Sequence, residues 1–200
     1  MFQIFINLSF LIYFKVITNL TKTIYIVFNF SKWRCKLEPN LLITFDPVHE
    51  ESAKLEIDAA VKETGKKAEI VKTEDGLAEL NTENARELIK ALKTVDKGKF
   101  NYTFYWWPVD EWCKSKIEDM QKCIKKIQEG IKADEKWKMD LAKRKEKQEY
   151  PKDLIIKLTD AVDKPKVDLK NPDKIIKVEI IGDKAAISLL APEEIFNTKA

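Results

Sequence analysis

The chain has 200 residues, 44% of them hydrophobic and 34% charged, which excludes disordered and collagen-like classes and suits one large domain or two small ones. Its net charge of +3 is spread unevenly: residues 1–40 hold five bases and one acid, residues 41–98 nine bases against 13 acids, and residues 99–157 fifteen against 11. An acidic first half of the main body therefore precedes a basic middle.

Residues 1–36 form an apolar extension. The run FQIFINLSFLIYF (2–14) and a second run, TIYIVFNF (23–30), each fall short of the roughly 18 residues that a bilayer span needs. Lys15 and Lys22 interrupt their union, and no small-residue cleavage site follows, so a membrane anchor or signal peptide is disfavoured. The Phe/Ile/Asn/Tyr-rich composition differs sharply from what comes next, so the segment is read as upstream of the fold, which begins near Lys36.

Leu41–Phe45 (LLITF) has the length and apolarity of a strand, and Glu50–Thr64 then places Ala53, Ile57, Ala60 and Val61 at helical spacing before Gly65. Two strands follow at Lys67–Lys72 and Gly76–Leu80, joined by the turn-forming Glu74-Asp75-Gly76. Asn81–Val95 returns to helix, with Thr82 or Asn84 as cap and Ala85, Leu88, Ile89 and Leu92 on one face. Phe100–Trp107 (FNYTFYWW) reads as a strand. Residues 37–110 thus run β-α-β-β-α-β, the ferredoxin-like pattern.

A second unit, 111–195, starts after Pro108. The spacing of Ile117, Met120, Ile124, Ile127 and Ile131 predicts one long helix from Trp112 to Ile131, with lysines on its other sides. Trp137–Leu141 reads as a strand, Pro151–Val162 as a helix with proline in its first turn, and Lys166–Leu169, Ile175–Ile181 and Ala185–Leu190 as strands, the last two a hairpin through Gly182-Asp183. The fold class is α/β (α+β), two units packed together with no Gly-rich linker between them.

Nothing in the sequence names a catalytic apparatus. Cys35, Cys113 and Cys123 form no CxxC pair and have one histidine, His49, for company, so no zinc site or disulfide framework is expected, and Cys113 and Cys123 read as small buried hydrophobes. His49 reads as a surface residue at a helix start. The five glycines are too scattered for a phosphate-binding loop, and no cofactor is implied. The chain is therefore expected not to be an enzyme. Lys143, Arg144, Lys145 and Lys147 cluster at a strand end and lead into Tyr150-Pro151-Lys152 at a helix start, a combination suited to phosphates. Trp106, Trp107, Trp112 and Trp137 could stack on bases, but core packing is the better reading.

The run WKMDLAKRKEKQEYPKDLIIKLTDAV from Trp137, followed by KVDLKNPDKIIKVEIIGDKAAISLL, resembles the C-terminal core of the THUMP domain family. Lys143-Arg144 matches the family's basic strand end, and Val167-Asp168-Leu169-Lys170-Asn171-Pro172-Asp173 matches its V-D-L-x-x-P-D turn. The preceding β-α-β-β-α-β unit agrees with the ferredoxin-like partner of that family. The family's Ser/His and small-residue features after the basic strand are replaced here by EKQEY. The resemblance implies tRNA binding in the cytoplasm, with no small-molecule substrate. Because the sequence ends soon after its last strand, it also implies the stand-alone type, which works with a separate acetyltransferase in tRNA cytidine N4-acetylation. RNA-binding service to another tRNA modification, thiolation or methylation, and a self-sufficient RNA-modifying enzyme are the alternatives. Lys143, Arg144, Lys145, Lys147 and Lys152 would neutralise phosphates, with Lys170 and Asn171 extending the surface. Asp168, Pro172 and Asp173 read more simply as turn formers.

Overall fold

The computed structural model describes residues 38–144 and 149–199, with the backbone of two short strands nearer the N-terminus, Tyr13–Val16 (β1) and Ile24–Val27 (β2). Residues 1–37 form one unit, in which β1 and β2 pair antiparallel with Tyr13 opposite Val27. The rest of the expected apolar extension lies outside the described residues. Among the described residues no helix is long and apolar enough to cross a membrane.

In residues 38–200 the chain first lays down β3 (Leu41–Phe45), α1 (Glu50–Glu63), β4 (Ala68–Glu74), β5 (Leu77–Thr82), α2 (Ala85–Leu92) and β6 (Thr103–Pro108). This is the β-α-β-β-α-β order expected from the sequence. All pairings are antiparallel, with β3 central between β5 and β6 and β4 at the edge beyond β5. The centre of the sheet is β3 because its run is apolar on both faces. Leu41, Ile43 and Phe45 face the core under α1 and α2, whereas Leu42 packs with Leu77 and Trp107 on the other side. The helices bury the residues that their spacing singles out: Ala53, Ile57, Ala60 and Val61 on α1, and Ala85, Leu88, Ile89 and Leu92 on α2. Asn84 caps α2, its side chain accepting from the Glu87 N–H at 3.1 Å. The β4–β5 turn needs left-handed backbone at Asp75 (φ 49°) and Gly76 (φ 73°), as a two-residue hairpin loop requires.

The second half supplies β7 (Glu111–Lys114), α3 (Ile117–Ile127), β8 (Trp137–Arg144), α4 (Leu154–Thr159), β9 (Lys174–Ile181) and β10 (Lys184–Leu190), before β11 (Phe196–Asn197) returns to pair with β6. The second sheet has the order β7-β10-β9-β8, with β8 and β9 parallel and the other pairs antiparallel. Its Ile176, Val178, Ile180, Ala185 and Ile187 bury against α3 and α4. The opposite face contributes Ala186 and Leu190 to a smaller cluster with Leu42, Leu77 and Trp107 of the first sheet. The two sheets are thus back to back with helices outside, and Trp106, Trp107 and Trp137 are core residues, none more than 3% exposed.

Two elements differ from the sequence reading. The expected helix from Trp112 is a strand first and a helix only from Ile117. Trp112 turns to the cluster between the sheets and donates its indole N–H to the Pro39 carbonyl at 2.6 Å, while Cys113 turns to the α3 side. Consecutive residues facing opposite ways demand period two, which a helix cannot supply. The expected strand Lys166–Leu169 reduces to one bridge, Val167 with Trp137. Asp168 bends the chain there by accepting from the Lys170 and Asn171 N–H groups, at 3.0 and 2.9 Å.

Candidate nucleic-acid interface

The end of the second sheet where β8 finishes is knitted from four segments. The Gly182 N–H in the β9–β10 turn donates to the Arg144 carbonyl at 3.0 Å. The Ser115 N–H, just past β7, donates to the Asp183 carbonyl at 3.0 Å, and its hydroxyl donates to the Gly182 carbonyl at 3.2 Å. The Tyr150 hydroxyl, on the approach to α4, donates to the Ser115 carbonyl at 2.7 Å. These bonds bring Lys143, Lys152, Lys114 and Lys116 to one end of the sheet. All four are exposed. The Lys143 ammonium sits 5.9 Å from the Tyr150 ring centroid.

Arg144 occupies the same end but faces inward. Its Nε donates to Glu179 Oε1 at 2.6 Å, and Glu179 is buried at 1% exposure. A second guanidinium nitrogen lies 3.4 Å from the Asp75 carbonyl, across on the first sheet. Arg144 is therefore engaged by a buried carboxylate, a role the sequence reading did not give it. Lys145 and Lys147 lie outside the described residues.

Lys170 and Asn171 are exposed but stand elsewhere. In the parallel pair of β8 and β9, Trp137 is opposite Lys174 and Arg144 opposite Ile181. The turn that precedes β9 is thus at the far end of β8 from Lys143, a strand length of roughly 23 Å at about 3.3 Å per residue. That turn is held from within. Besides its two backbone N–H partners, Asp168 meets the Lys136 ammonium at 3.0 Å, and these donors, the Asn171 N–H foremost, hold its carboxyl down at about 2. Asp173 accepts from the Lys136 N–H at 2.8 Å. Asp168 and Asp173 thus act as turn formers. The sequence-derived residues form two groups at opposite ends of β8, with Lys143 and Lys152 in one and Lys170 and Asn171 in the other.

Lys114 and Lys116 escape the sequence reading because a continuous helix would scatter them around its circumference. The signal that could have found them is Trp112-Cys113 followed by K-S-K: two apolar neighbours on opposite faces, then a turn with two cations. Among the described residues no three His, Cys, Asp or Glu side chains gather as a metal site would need.

Residues 114–190 match the THUMP domain, and no curated protein matches the sequence significantly. The crystal structure of PH1313 from Pyrococcus horikoshii Ot3 superposes with a TM-score of 0.57 at 16% identity, over 76% of this chain and 55% of that one. A predicted N6-adenine-specific DNA methylase from Listeria monocytogenes str. 4b F2365 superposes with a TM-score of 0.50 at 11% identity, over 81% and 42%. A 4-thiouridine synthetase crystallised with RNA and ATP gives a TM-score of 0.48 at 13% identity, over 80% and 42%. The chain thus spans about half the length of the solved structures it resembles, and the first two likenesses describe its fold. They also correct the expectation that the chain is not an enzyme. The same fold occurs inside a longer chain described as a predicted methylase, so a non-catalytic role does not follow from the architecture or from missing sequence motifs.

Proposed function

We propose, for a chain whose residues 114–190 form a THUMP domain, that it binds tRNA through the basic end of the second sheet and does so in the service of tRNA modification. The observation that carries this reading is the convergence of Lys114, Lys116, Lys143 and Lys152 where β7, β8 and the approach to α4 are tied together. Ammonium groups held on a rigid sheet end neutralise phosphates and position a duplex without reading its bases. Recognition is by shape and charge. Arg144 supports this surface from beneath, and Lys145 and Lys147 extend it in sequence. Lys170 and Asn171 mark a second contact about a strand length away, a spacing that a rigid acceptor stem can bridge.

The finer reading is that the bound tRNA is presented to a separate cytidine N4-acetyltransferase in the cytoplasm. What supports it is the resemblance of the 137–190 stretch to the C-terminal core of the THUMP family. The interface is tested by a filter-binding titration of tRNA against salt. Replacing Lys114, Lys116, Lys143 and Lys152 by Ala should weaken binding and flatten the log–log salt slope by about 0.7–0.9 for each phosphate left without its cation. Unchanged affinity and slope would overturn the interface. The reaction is tested by nucleoside mass spectrometry of tRNA from a deletion strain, where acetylcytidine should disappear. Normal acetylcytidine would overturn that assignment, whatever other nucleoside disappears.

A further inference from the structure

We propose that the free edge of β8 is a docking site for a partner protein, which adds an extended segment of alternating aliphatic and acidic residues as one more strand of the second sheet. The register of β8 decides which way its backbone points. The Lys136 and Arg144 carbonyls accept from the β9 side, so the even-numbered residues between them face β9. Trp137 faces the other way, its N–H donating to the Lys166 carbonyl and its carbonyl accepting from the Asp168 N–H, at 2.9 and 3.0 Å. Met139 and Leu141 share that direction, by the two-residue period of a strand. After the bridge from Val167 to Trp137, Asp168 bends the chain away, and the N–H and C=O groups of Met139 and Leu141 have no partner among the described residues. Such a row of open backbone groups is a template for another strand.

A groove of about 340 Å³ runs beside that edge, between α4 and residues 164–169, with Met139 at its base and Ile155, Val162, Val167 and Leu169 along it. Ile155, Val167 and Leu169 are exposed. Side chains of an added strand alternate, so every second one enters the groove and meets aliphatic carbon. Charge selects the occupant. Lys143 and Lys152 stand at the tip of β8, and Lys164, Lys166 and Lys170 at its start. They outnumber the acids of α4 and residues 160–170 that lack a lysine, Asp160 and Asp163, since Asp153 is paired with Lys157 and Asp168 with Lys136. A second copy would set these lysines against their own kind. RNA bases need an exposed ring to stack on, whereas the ring that lines the groove, Trp137, is buried and donates its indole N–H to the Lys164 carbonyl at 2.9 Å. An acidic, aliphatic, extended peptide satisfies the edge, the groove and the lysines together.

The probe is a fluorescent pool of short peptides with Val, Ile or Leu at alternate positions and Asp, Glu, Ser or Thr between them, titrated with the full chain by anisotropy. The pool should bind, and a pool with Lys and Arg in place of Asp and Glu should bind about tenfold more weakly. V167S/L169S, at two exposed positions outside the core, should weaken binding by about tenfold or more. K164E/K166E should reverse the preference between the pools. N-methylation of the peptides distinguishes an added strand from adhesion. Methylating one alternate set of residues should abolish binding, and methylating the other should leave it within about threefold. No binding of the acidic pool, equal binding of both pools, or equal loss from both methylated sets would each overturn the site. A dimer of the chain that V167S/L169S dissolves, or loss of tRNA binding in that variant, would overturn it in favour of a second copy or of RNA. The peptide titrations contain no RNA, so their failure is separate from any failure of tRNA binding.

Discussion

Replacing Arg144 by Met should destabilise the fold rather than merely weaken the surface. Glu179 is a carboxylate at 1% exposure, and the Arg144 Nε, 2.6 Å away, donates to it. Removing one partner of a buried ion pair costs about 3–5 kcal/mol, because the other charge stays buried without compensation. The Arg144 side chain keeps 30% of its exposure, so water screens one side of the pair and reduces the cost to about 2–3 kcal/mol. At about 2–4 °C per kcal/mol for a chain of this size, the thermal midpoint should fall by roughly 4–12 °C. Equilibrium urea unfolding measures this directly, with a lower midpoint at unchanged slope. Two further variants isolate the cause. E179Q alone should also destabilise, and R144M/E179Q should cost clearly less than the two single changes summed, because the double variant leaves no charge behind. Lys143→Ala, one residue away but exposed, should stay within about 0.5 kcal/mol. A loss below about 1 kcal/mol in R144M, or strict additivity in the double variant, would refute the buried-pair account and return Arg144 to the phosphate-binding set.

Asp168 sets an acid limit on the turn before β9. Its carboxyl is held near 2 in the fold against an ordinary 3.8, so its contribution is complete above the ordinary value and is lost as pH falls through that interval. The gap in urea midpoint between the parent and D168N should be constant at neutral pH and close across that window; a gap independent of pH would refute it. Gly76→Ala should cost about 1–3 kcal/mol, since φ is 73° and a Cβ would meet the Phe45 carbonyl oxygen at 2.7 Å. Chemical denaturation checks this, and a cost under about 0.5 kcal/mol would show that the turn relaxes freely. Asn84→Ala should lose about 1 kcal/mol through the α2 cap, and N84D should retain most of it; equal losses in both would remove the cap as the reason.

The fold is legible in the sequence wherever one period dominates. The first sheet and its helices can be read because LLITF is apolar at every position but Thr44 and α1 and α2 carry helical stripes bounded by Asn84 and Gly65. The second half is blurred where two periods overlap. Ile117, Met120, Ile124 and Ile127 announce α3 so strongly that the same spacing extends backward over Trp112, although Glu111–Lys114 pair with β10. Val167 and Leu169 look like strand residues by composition, yet they are 58% and 72% exposed because Asp168 turns the chain between them. Arg144 and Lys143 are indistinguishable in a basic run. A partner 35 positions away, Glu179, separates them, and no local pattern announces it.

Long-range pairing also lets a stretch with slightly more acids than bases present a cationic surface. Net charge counts every lysine equally, but a lysine tied to a carboxylate offers little to a phosphate. Lys122, Lys126, Lys136, Lys177 and Lys184 each have an acidic partner within 4 Å, in Asp119, Glu111, Asp168, Asp140 and Glu38. Lys114, Lys116 and Lys152 have no carboxylate partner among the described residues, and all three stand at the sheet end where Tyr150 meets Ser115. Charge-removing substitution of the paired lysines, for instance K122Q/K126Q, should therefore leave the salt slope of tRNA binding nearly untouched, while the same count of changes at Lys114 and Lys116 should lower it. Equal effects from the two pairs would refute the selection. Lys114 and Lys116 stand together at this sheet end because β7 is a strand, and there, with Lys152, they lack the acids that hold the paired lysines.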